Sequence, residues 1–134
     1  MKHYNYNIRK EALLGICELI EKHSSLLVNY LGNILHTTIE LVVDEENAVR
    51  STLRKLNTLI LESVHVNEVC FNRHINFFNI FLKTSITPFL SYIMVYIGSG
   101  LTHLTQSIRI DTMLLLNVWV KQVPSLIAQF YTEV

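Results

Sequence analysis

Charged residues and turn-forming residues are both scarce in this chain of 134 residues. Asp, Glu, Lys and Arg make up 16% of it, against about 25% in an average globular protein. Four glycines and two prolines leave few positions that would interrupt a helix. Half of the residues are hydrophobic, so the composition favours a single helical domain over residues 1–134 with a continuous core.

The chain also lacks an excess of charge of either sign. Its 11 Lys and Arg balance its 11 Asp and Glu, and a balanced chain carries no electrostatic signature of wrapping nucleic acid. Cys17 and Cys70 are too few and too far apart for a disulfide framework. No long apolar core follows the first residues. We therefore expect no signal peptide and a reducing compartment, cytosol or nucleus.

The strongest hydrophobic run covers residues 89–101, inside a stretch from Thr84 to Ile108 that contains no charged residue. A transmembrane helix needs about 20 mostly apolar residues, and small and polar residues interrupt this run from position 98 onward. We interpret it as a buried core helix. A small membrane protein that uses residues 89–101 is the alternative.

Apolar residues at helical spacing predict five helices and a last short segment. The predicted helices cover residues 7–22, 26–43, 46–64, 87–103 and 106–122. Thr87 before Pro88 is a typical helix start, Thr105 is a candidate cap for the fifth helix, and Pro124 opens the last segment. Residues 66–85 are rich in Asn and Phe and less regular.

An arginine opens three of these helices in the same local setting, each time after an aliphatic residue. Arg9 and Arg50 are 41 residues apart, which fits the roughly 40–47 residues of a HEAT or armadillo repeat. Arg50 and Arg109 are 59 residues apart, and the excess of about 18 residues predicts an insertion at residues 66–85. The pattern predicts an all-α fold, a HEAT/armadillo-like α-solenoid of about three repeats and five to seven helices.

Aligning the three arginines also aligns the apolar positions around them. The matched sets are Ile8, Val49 and Ile108; Ala12, Leu53 and Thr112; Leu19, Ile60 and Trp119; and Ile20, Leu61 and Val120. Terminal repeats of such a stack leave apolar surface without a neighbour. We therefore predict a protein contact or further chain at both ends.

The arginines have a structural role in this interpretation. An acidic residue in the turn of a HEAT repeat pairs with an arginine early in the second helix, and Asp44 with Arg50 fits that pattern. His3 and His103 stand six residues before the other two arginines, which predicts a weaker or pH-sensitive contact there. His103 is a candidate to hydrogen-bond a turn carbonyl or the end of a neighbouring helix.

Two segments carry a resemblance to a known family. Residues 4–19 contain Arg9-Lys10-Glu11-Ala12-Leu13, followed by Gly15, and residues 100–111 contain a Thr-His turn before Ile108-Arg109-Ile110-Asp111. Both segments, with the interval from Asp44 to Arg50 between them, are similar to the conserved domain of the testis-expressed protein ten / pre-rRNA-processing family. The resemblance covers about residues 4–123.

The resemblance implies a nuclear helical-repeat scaffold, in the nucleoplasm or nucleolus, that acts on late precursors of the large ribosomal subunit. It implies a complex that supports removal of a transcribed spacer and contains another helical-repeat subunit and a WD-repeat propeller. It also implies recruitment of the midasin-type ATPase. The family proteins are much longer, so we interpret the chain as a fragment or a reduced version. A generic HEAT-type protein-protein adaptor in another pathway is the alternative function.

Catalytic and metal chemistry have little support in the sequence. Cys70 and His74 have the spacing of half a zinc site, but no second pair of ligands is near. The acidic run at residues 44–46 is explained by capping of the next helix, and the glycines near position 98 lack the lysine of a phosphate loop. We predict no enzyme activity, no metal and no cofactor.

The surface that contacts partners is predicted from the cations of the arginine-bearing helices. Such residues often face the concave side of a solenoid, and the candidates are Arg9, Lys10, Arg50, Arg54 and Arg109. Asp44, Arg50 and His103 are the predicted structural residues. Direct contact of RNA with Arg50, Arg54, Lys55 and Arg73 stays open, and a solvated helix face is the simpler and favoured explanation of those charges.

Overall fold

The computed structural model describes residues 3–69 and 85–132, and every regular element in these ranges is helical. The prediction of an all-α fold is confirmed. Two 3₁₀ segments, Ser24–Leu26 and Ile39–Val43, flank the second helix. The described ranges contain six α-helices, namely α1 (Tyr6–Lys22), α2 (Leu27–Thr38), α3 (Asn47–Val69), α4 (Thr87–Leu101), α5 (Gln106–Gln122) and α6 (Pro124–Thr132).

The starts of α1, α4 and α5 differ in their capping. The side chain of Asn5 accepts a hydrogen bond from the backbone N–H of Asn7 at the start of α1, as expected of an N-cap. α5 begins and ends at the predicted residues, although the Thr105 side chain makes no capping bond. α4 differs from the prediction because Ile86, and not Thr87, occupies its N-cap.

α3 continues to Val69, past the predicted end at residue 64. The first residues of the predicted insertion therefore continue the helix. Residues 70–84, which make up most of that segment, lie outside the described residues.

The helices alternate between two sets along the chain. α3 packs against α1 on one side and α5 on the other. α4 packs against α2 and α6, and also against α5. Odd-numbered helices thus adjoin one another, as do even-numbered helices, with the 3₁₀ segment Ile39–Val43 in contact with α3, α4 and α5.

The core lies between these two sets and is formed mainly by aliphatic residues from both, together with Trp119. Each fully buried side chain of this size contributes about 1.5–3 kcal/mol through removal of apolar surface from water. The largest fully buried side chains are Trp119, Leu13, Leu31, Leu35, Ile39, Leu53, Leu56, Ile60, Ile86, Ile93, Ile97 and Ile108.

Two glycines allow helices to approach closely. A Cβ atom at Gly32 of α2 would overlap the ring of Phe89 in α4. A Cβ atom at Gly100 of α4 would overlap the side chain of Thr112 in α5. The helices therefore touch at both glycines, and a larger residue at either position would force the two helices apart.

A short aromatic cluster lies where α2 meets α4. The ring of His36 stacks on Tyr92 with ring centroids 4.5 Å apart. The Tyr92 hydroxyl donates to the Tyr96 hydroxyl over 3.4 Å. That hydrogen bond, with burial as a smaller cause, raises the pKa of Tyr92 to about 12.

The hydrophobic run at residues 89–101 lies in α4, whose buried residues face the core. Among the described helices, none combines the length and the apolar character that a membrane crossing requires.

Candidate functional site: an arginine ladder

Arg50 closes the turn that precedes its own helix. Its Nη1 donates to the backbone carbonyls of Asp44 and Glu45, at 2.7 and 2.9 Å. The Asp44 carboxylate in turn accepts from the backbone N–H of Glu46 at 3.0 Å. The guanidinium and the carboxylate thus stabilise the turn from two sides, each by binding backbone groups of the turn.

Arg109 and His103 build the same turn before α5. The Nη1 of Arg109 donates to the carbonyls of His103 and Leu104, at 2.7 and 2.8 Å. The Nδ1 of His103 accepts from the backbone N–H of Thr105 at 3.1 Å. His103 therefore occupies the position of Asp44, with imidazole nitrogen in place of carboxylate oxygen.

Arg9 and His3 repeat the arrangement before α1. The Nη1 of Arg9 donates to the carbonyls of His3 and Tyr4, and the Nδ1 of His3 accepts from the N–H of Asn5 at 3.1 Å. The structure thus contains three copies of one turn, each closed by its own arginine.

In Arg9 and Arg50 the other edge of the guanidinium faces the next arginine-bearing helix or the turn before it. The Nε and Nη2 of Arg9 donate to the two carboxylate oxygens of Asp44, at 2.7 and 2.9 Å. This paired geometry is the strongest arrangement for an arginine and a carboxylate. The hydrogen bond to Asp44 raises the pKa of Arg9.

This geometry corrects the expected pairing. Arg50 meets Asp44 through its backbone carbonyl, while the Asp44 carboxylate binds Arg9 of the preceding helix. The carboxylate partner of Arg50 is Asp111, 61 residues further along the chain. We call the two ion pairs, Arg9 with Asp44 and Arg50 with Asp111, the arginine ladder.

The second pair of the ladder is the more buried. Arg50 is 4% exposed, and its Nε donates to Asp111 at 2.7 Å. Arg54 donates to the other oxygen of Asp111 at 3.3 Å, and the Nη2 of Arg50 donates to the Ser107 hydroxyl at 3.3 Å. All three donor nitrogens of Arg50 therefore have acceptors inside the protein.

A neutral polar pair joins the same two helices further along. The indole N–H of Trp119 donates to the Asn57 side-chain carbonyl at 3.2 Å, and the Asn57 amide donates to the Leu53 carbonyl at 2.9 Å. Trp119 and Asn57 are both buried. A buried indole requires such a partner.

The cations predicted to contact partners therefore differ in whether their donor nitrogens are already hydrogen-bonded within the protein. Arg9 and Arg50 use their donors within the ladder. Lys10 and Arg54 are half-buried. Arg109 is half-buried too, and within residues 3–69 and 85–132 its Nε and Nη2 have no acceptor. Among the three turn-closing arginines, Arg109 is thus the one whose outward edge is open in the described part of the chain.

The exposure of the aligned apolar positions changes from one end to the other. Ile8 and Leu19 of α1 are 45% and 47% exposed, whereas their counterparts in α3 and α5 are buried. Val120 of α5 is 42% exposed, whereas its counterparts Ile20 and Leu61 are buried. α1 thus has an uncovered surface on the side away from α3, and α5 has one on the side away from α3.

An apolar groove of about 360 Å³ lies between α1 and α2. Leu19, Leu26 and Tyr30, each more than one-third exposed, line it. Cys17 lies beside this region but is buried, and its burial raises the pKa of the thiol. The groove is therefore a mainly hydrophobic surface, and Cys17 is not part of its lining.

Sequence reasoning missed Asp111, Asn57 and Trp119 as site residues. Asp111 stands two residues after an aligned arginine, which was the available signal, but its partner is distant in sequence. The described residues contain no cluster of three or more metal-ligating side chains. Cys70, Arg73 and His74 lie outside the described residues.

Comparisons with known proteins match both halves of the chain. The sequence model of a family described as a Rix1 complex component involved in 60S ribosome maturation matches residues 84–133. The pre-rRNA-processing protein ipi1 of Schizosaccharomyces pombe is 30% identical over 112 residues, which are 84% of this chain and 23% of that protein. The testis-expressed protein 10 homolog of Danio rerio is 20% identical over 132 residues, which are 98% of this chain and 12% of that protein.

These matches confirm the resemblance to the testis-expressed protein ten / pre-rRNA-processing family. The chain spans about a quarter of the first relative and about an eighth of the second. The matched family region contains α4 to α6, including the turn closed by Arg109.

Proposed function

We propose, on the basis of this family resemblance, that the chain is a non-catalytic helical-repeat scaffold in nuclear assembly of the large ribosomal subunit and in pre-rRNA processing. The observation that carries the proposal is the thrice-repeated arginine turn in a chain similar to ribosome-maturation proteins. A repeat of local structure is typical of proteins that bind partners along an extended surface.

The proposed architecture is a HEAT-like α-solenoid. The alternation of the helices supports it, because α1, α3 and α5 adjoin one another while α2, α4 and α6 adjoin one another. The ladder supports it too, since Arg9 and Arg50 each contact the following arginine-bearing helix or the turn before it. In such a stack each repeat contacts its neighbours and the end surfaces are available to other proteins.

The proposed partners are protein subunits of a ribosome-assembly complex. By resemblance they are a helical-repeat subunit, a WD-repeat propeller and the midasin-type ATPase. The uncovered side of α1, with its apolar groove, and the uncovered side of α5 are the surfaces on which they would bind. Lys10, Arg54 and Arg109 are the proposed cationic contacts, while Arg9 and Arg50 support them from inside the ladder.

Copurification tests the proposal. A tagged chain isolated from nuclear extract should recover large-subunit precursors, measured by the spacer-containing RNA, together with a propeller subunit. A substitution in the groove, Leu19→Glu, should reduce that recovery at least several-fold, because a buried charge without a partner opposes binding. Glu18→Gln is the control, since Glu18 is exposed and outside the groove lining.

The same experiment distinguishes the proposed function from the alternative, a generic helical adaptor. Recovery of other proteins without large-subunit precursors or a propeller would contradict the proposal and leave a generic helical adaptor. Equal recovery by the Leu19→Glu variant would remove the groove from the proposed surface.

A further inference from the structure

The side of α5 that faces away from α3 is an unfilled position of the arginine ladder. It is formed by Arg109, Met113 and Val120, which we call the front stripe of α5. These residues are four and seven positions apart, so they share one side of the helix. Met113 is 62% exposed and Val120 is 42% exposed.

The equivalent stripe of α1 is covered. Arg9, Leu13 and Ile20 have the same spacing, and Leu13 and Ile20 are 0% and 4% exposed. α1 packs against α3 there, and Arg9 binds the carboxylate in the turn before α3. In α1, an arginine followed by two apolar residues at this spacing therefore forms a surface that binds another helix. That helix has a carboxylate close to its N-terminal end.

The second covered stripe consists of Arg50, Arg54 and Leu61 on α3, and it leads to the same requirement for a carboxylate. Arg50 binds Asp111, in the first turns of α5, at 2.7 Å. The carboxylate stands six residues before the aligned arginine in one case and two residues after it in the other. The outward edge of a ladder arginine is thus paired with a carboxylate in both internal contacts.

We infer that the front stripe of α5 binds an α-helix of a partner protein that carries a carboxylate in its first two turns or in the turn before it. The carboxylate binds the Nε and Nη2 of Arg109, and apolar residues of the partner helix cover Met113 and Val120. The inference rests on the proposed scaffold function and deepens it by naming the chemistry of the partner.

The composition of the stripe favours a protein over a nucleic acid. Nucleic-acid binding gains its affinity from several cations along a phosphate backbone. The stripe offers one cation, and its other two members are apolar. An arginine fork beside apolar surface matches a carboxylate on an amphipathic helix.

The probe for this inference is a synthetic peptide with the sequence of residues 39–62. It contains Asp44 and the helix that covers the stripe of α1. A covalent link between positions 55 and 62, both exposed in α3, holds the peptide helical. A second peptide carries Asp44→Asn.

Fluorescence titration of the intact chain should show that the first peptide binds about tenfold more tightly than the Asn peptide, as expected for loss of a charge-assisted bond. In the Arg109→Gln variant this difference should disappear. Lys121→Gln, which removes a cation from the same helix outside the stripe, should leave both affinities unchanged.

Arg109 also closes its own turn, so the Arg109→Gln variant can lose stability for that reason alone. A second variant therefore tests the stripe without changing Arg109. Met113→Glu changes an exposed side chain and places a like charge beside the partner carboxylate. It should weaken the first peptide about tenfold, with an unchanged circular dichroism spectrum.

Five results would overturn the inference. Four concern the peptides: absence of binding, equal affinity for both peptides, an unchanged difference in Arg109→Gln, and displacement of the peptide by a short uridine oligonucleotide. The fifth is self-association of the chain in sedimentation that Met113→Glu abolishes, because a second copy would then cover the stripe. Since only purified components are used, failure here leaves the copurification test of the proposed function unaffected.

Discussion

The contact of α3 with α1 and the contact of α3 with α5 use the same arginine position but obtain the carboxylate from different places. Arg9 binds Asp44, in the turn before α3, whereas Arg50 binds Asp111, inside α5. Both acceptors are within reach because the guanidinium lies between the turn and the first residues of the neighbouring helix. The position of the arginine is therefore the fixed element, and the acid can occupy either of two places.

The two contacts also differ in how polar they are. The side chain of Arg9 is 13% exposed, against 3% for Arg50. Arg54 and the pair of Asn57 with Trp119 add further hydrogen bonds between α3 and α5. A buried polar network depends strongly on every member being satisfied. The α3–α5 contact should therefore be the more sensitive of the two to single substitutions.

The largest expected effect is that of Asp111→Asn. It leaves the Arg50 charge buried without a counter-ion, and breaking a buried pair costs about 3–5 kcal/mol. Asp44→Asn removes the counter-ion of the more exposed Arg9, and loss of the charge-assisted hydrogen bonds should cost about 2 kcal/mol. Urea unfolding monitored by circular dichroism measures both changes. Equal costs for the two variants would show that the two contacts do not differ as described.

The second largest loss of stability is expected at the contact between α4 and α5. Gly100→Ala places a Cβ against the Thr112 side chain, so α4 and α5 must separate at a cost of about 2–3 kcal/mol. Gly98→Ala, two residues earlier in the same helix, meets no atom within 4 Å and should stabilise the chain by about 0.5 kcal/mol. Melting temperatures should therefore shift in opposite directions. A neutral Gly100→Ala would mean that the α4–α5 contact adjusts freely.

The sequence allowed prediction of the helices and of the three matching arginines, because helical periodicity and turn residues are local signals. The partner of Asp44 was predicted wrongly. An arginine has two donor edges, and sequence spacing does not tell which edge meets the backbone and which meets a carboxylate. The Arg50–Asp111 pair joins residues 61 positions apart, so only the packing of α3 on α5 reveals it.

The neutral pair in the α3–α5 contact gives a third effect. Asn57→Leu preserves approximate volume but leaves the Trp119 indole N–H buried without an acceptor, at a cost of about 1–3 kcal/mol. Trp119→Phe in the same chain removes the unpaired donor, so the double variant should lose less than the sum of the two single variants. A thermal unfolding cycle measures the coupling. Additive losses would show that the hydrogen bond contributes nothing to the contact.

The smallest expected effect distinguishes the histidine turn from the aspartate turn. His103→Ala removes the acceptor for the Thr105 N–H, which resembles loss of a helix cap and should cost about 0.5–1 kcal/mol. His103→Asp supplies a carboxylate oxygen in the position that Asp44 uses before α3, and a negative charge near the start of α5 is favourable. It should therefore retain or slightly exceed the original stability in urea unfolding. A loss with His103→Asp as large as that with His103→Ala would mean that the imidazole has a role beyond accepting this hydrogen bond, and that the two turns are not equivalent.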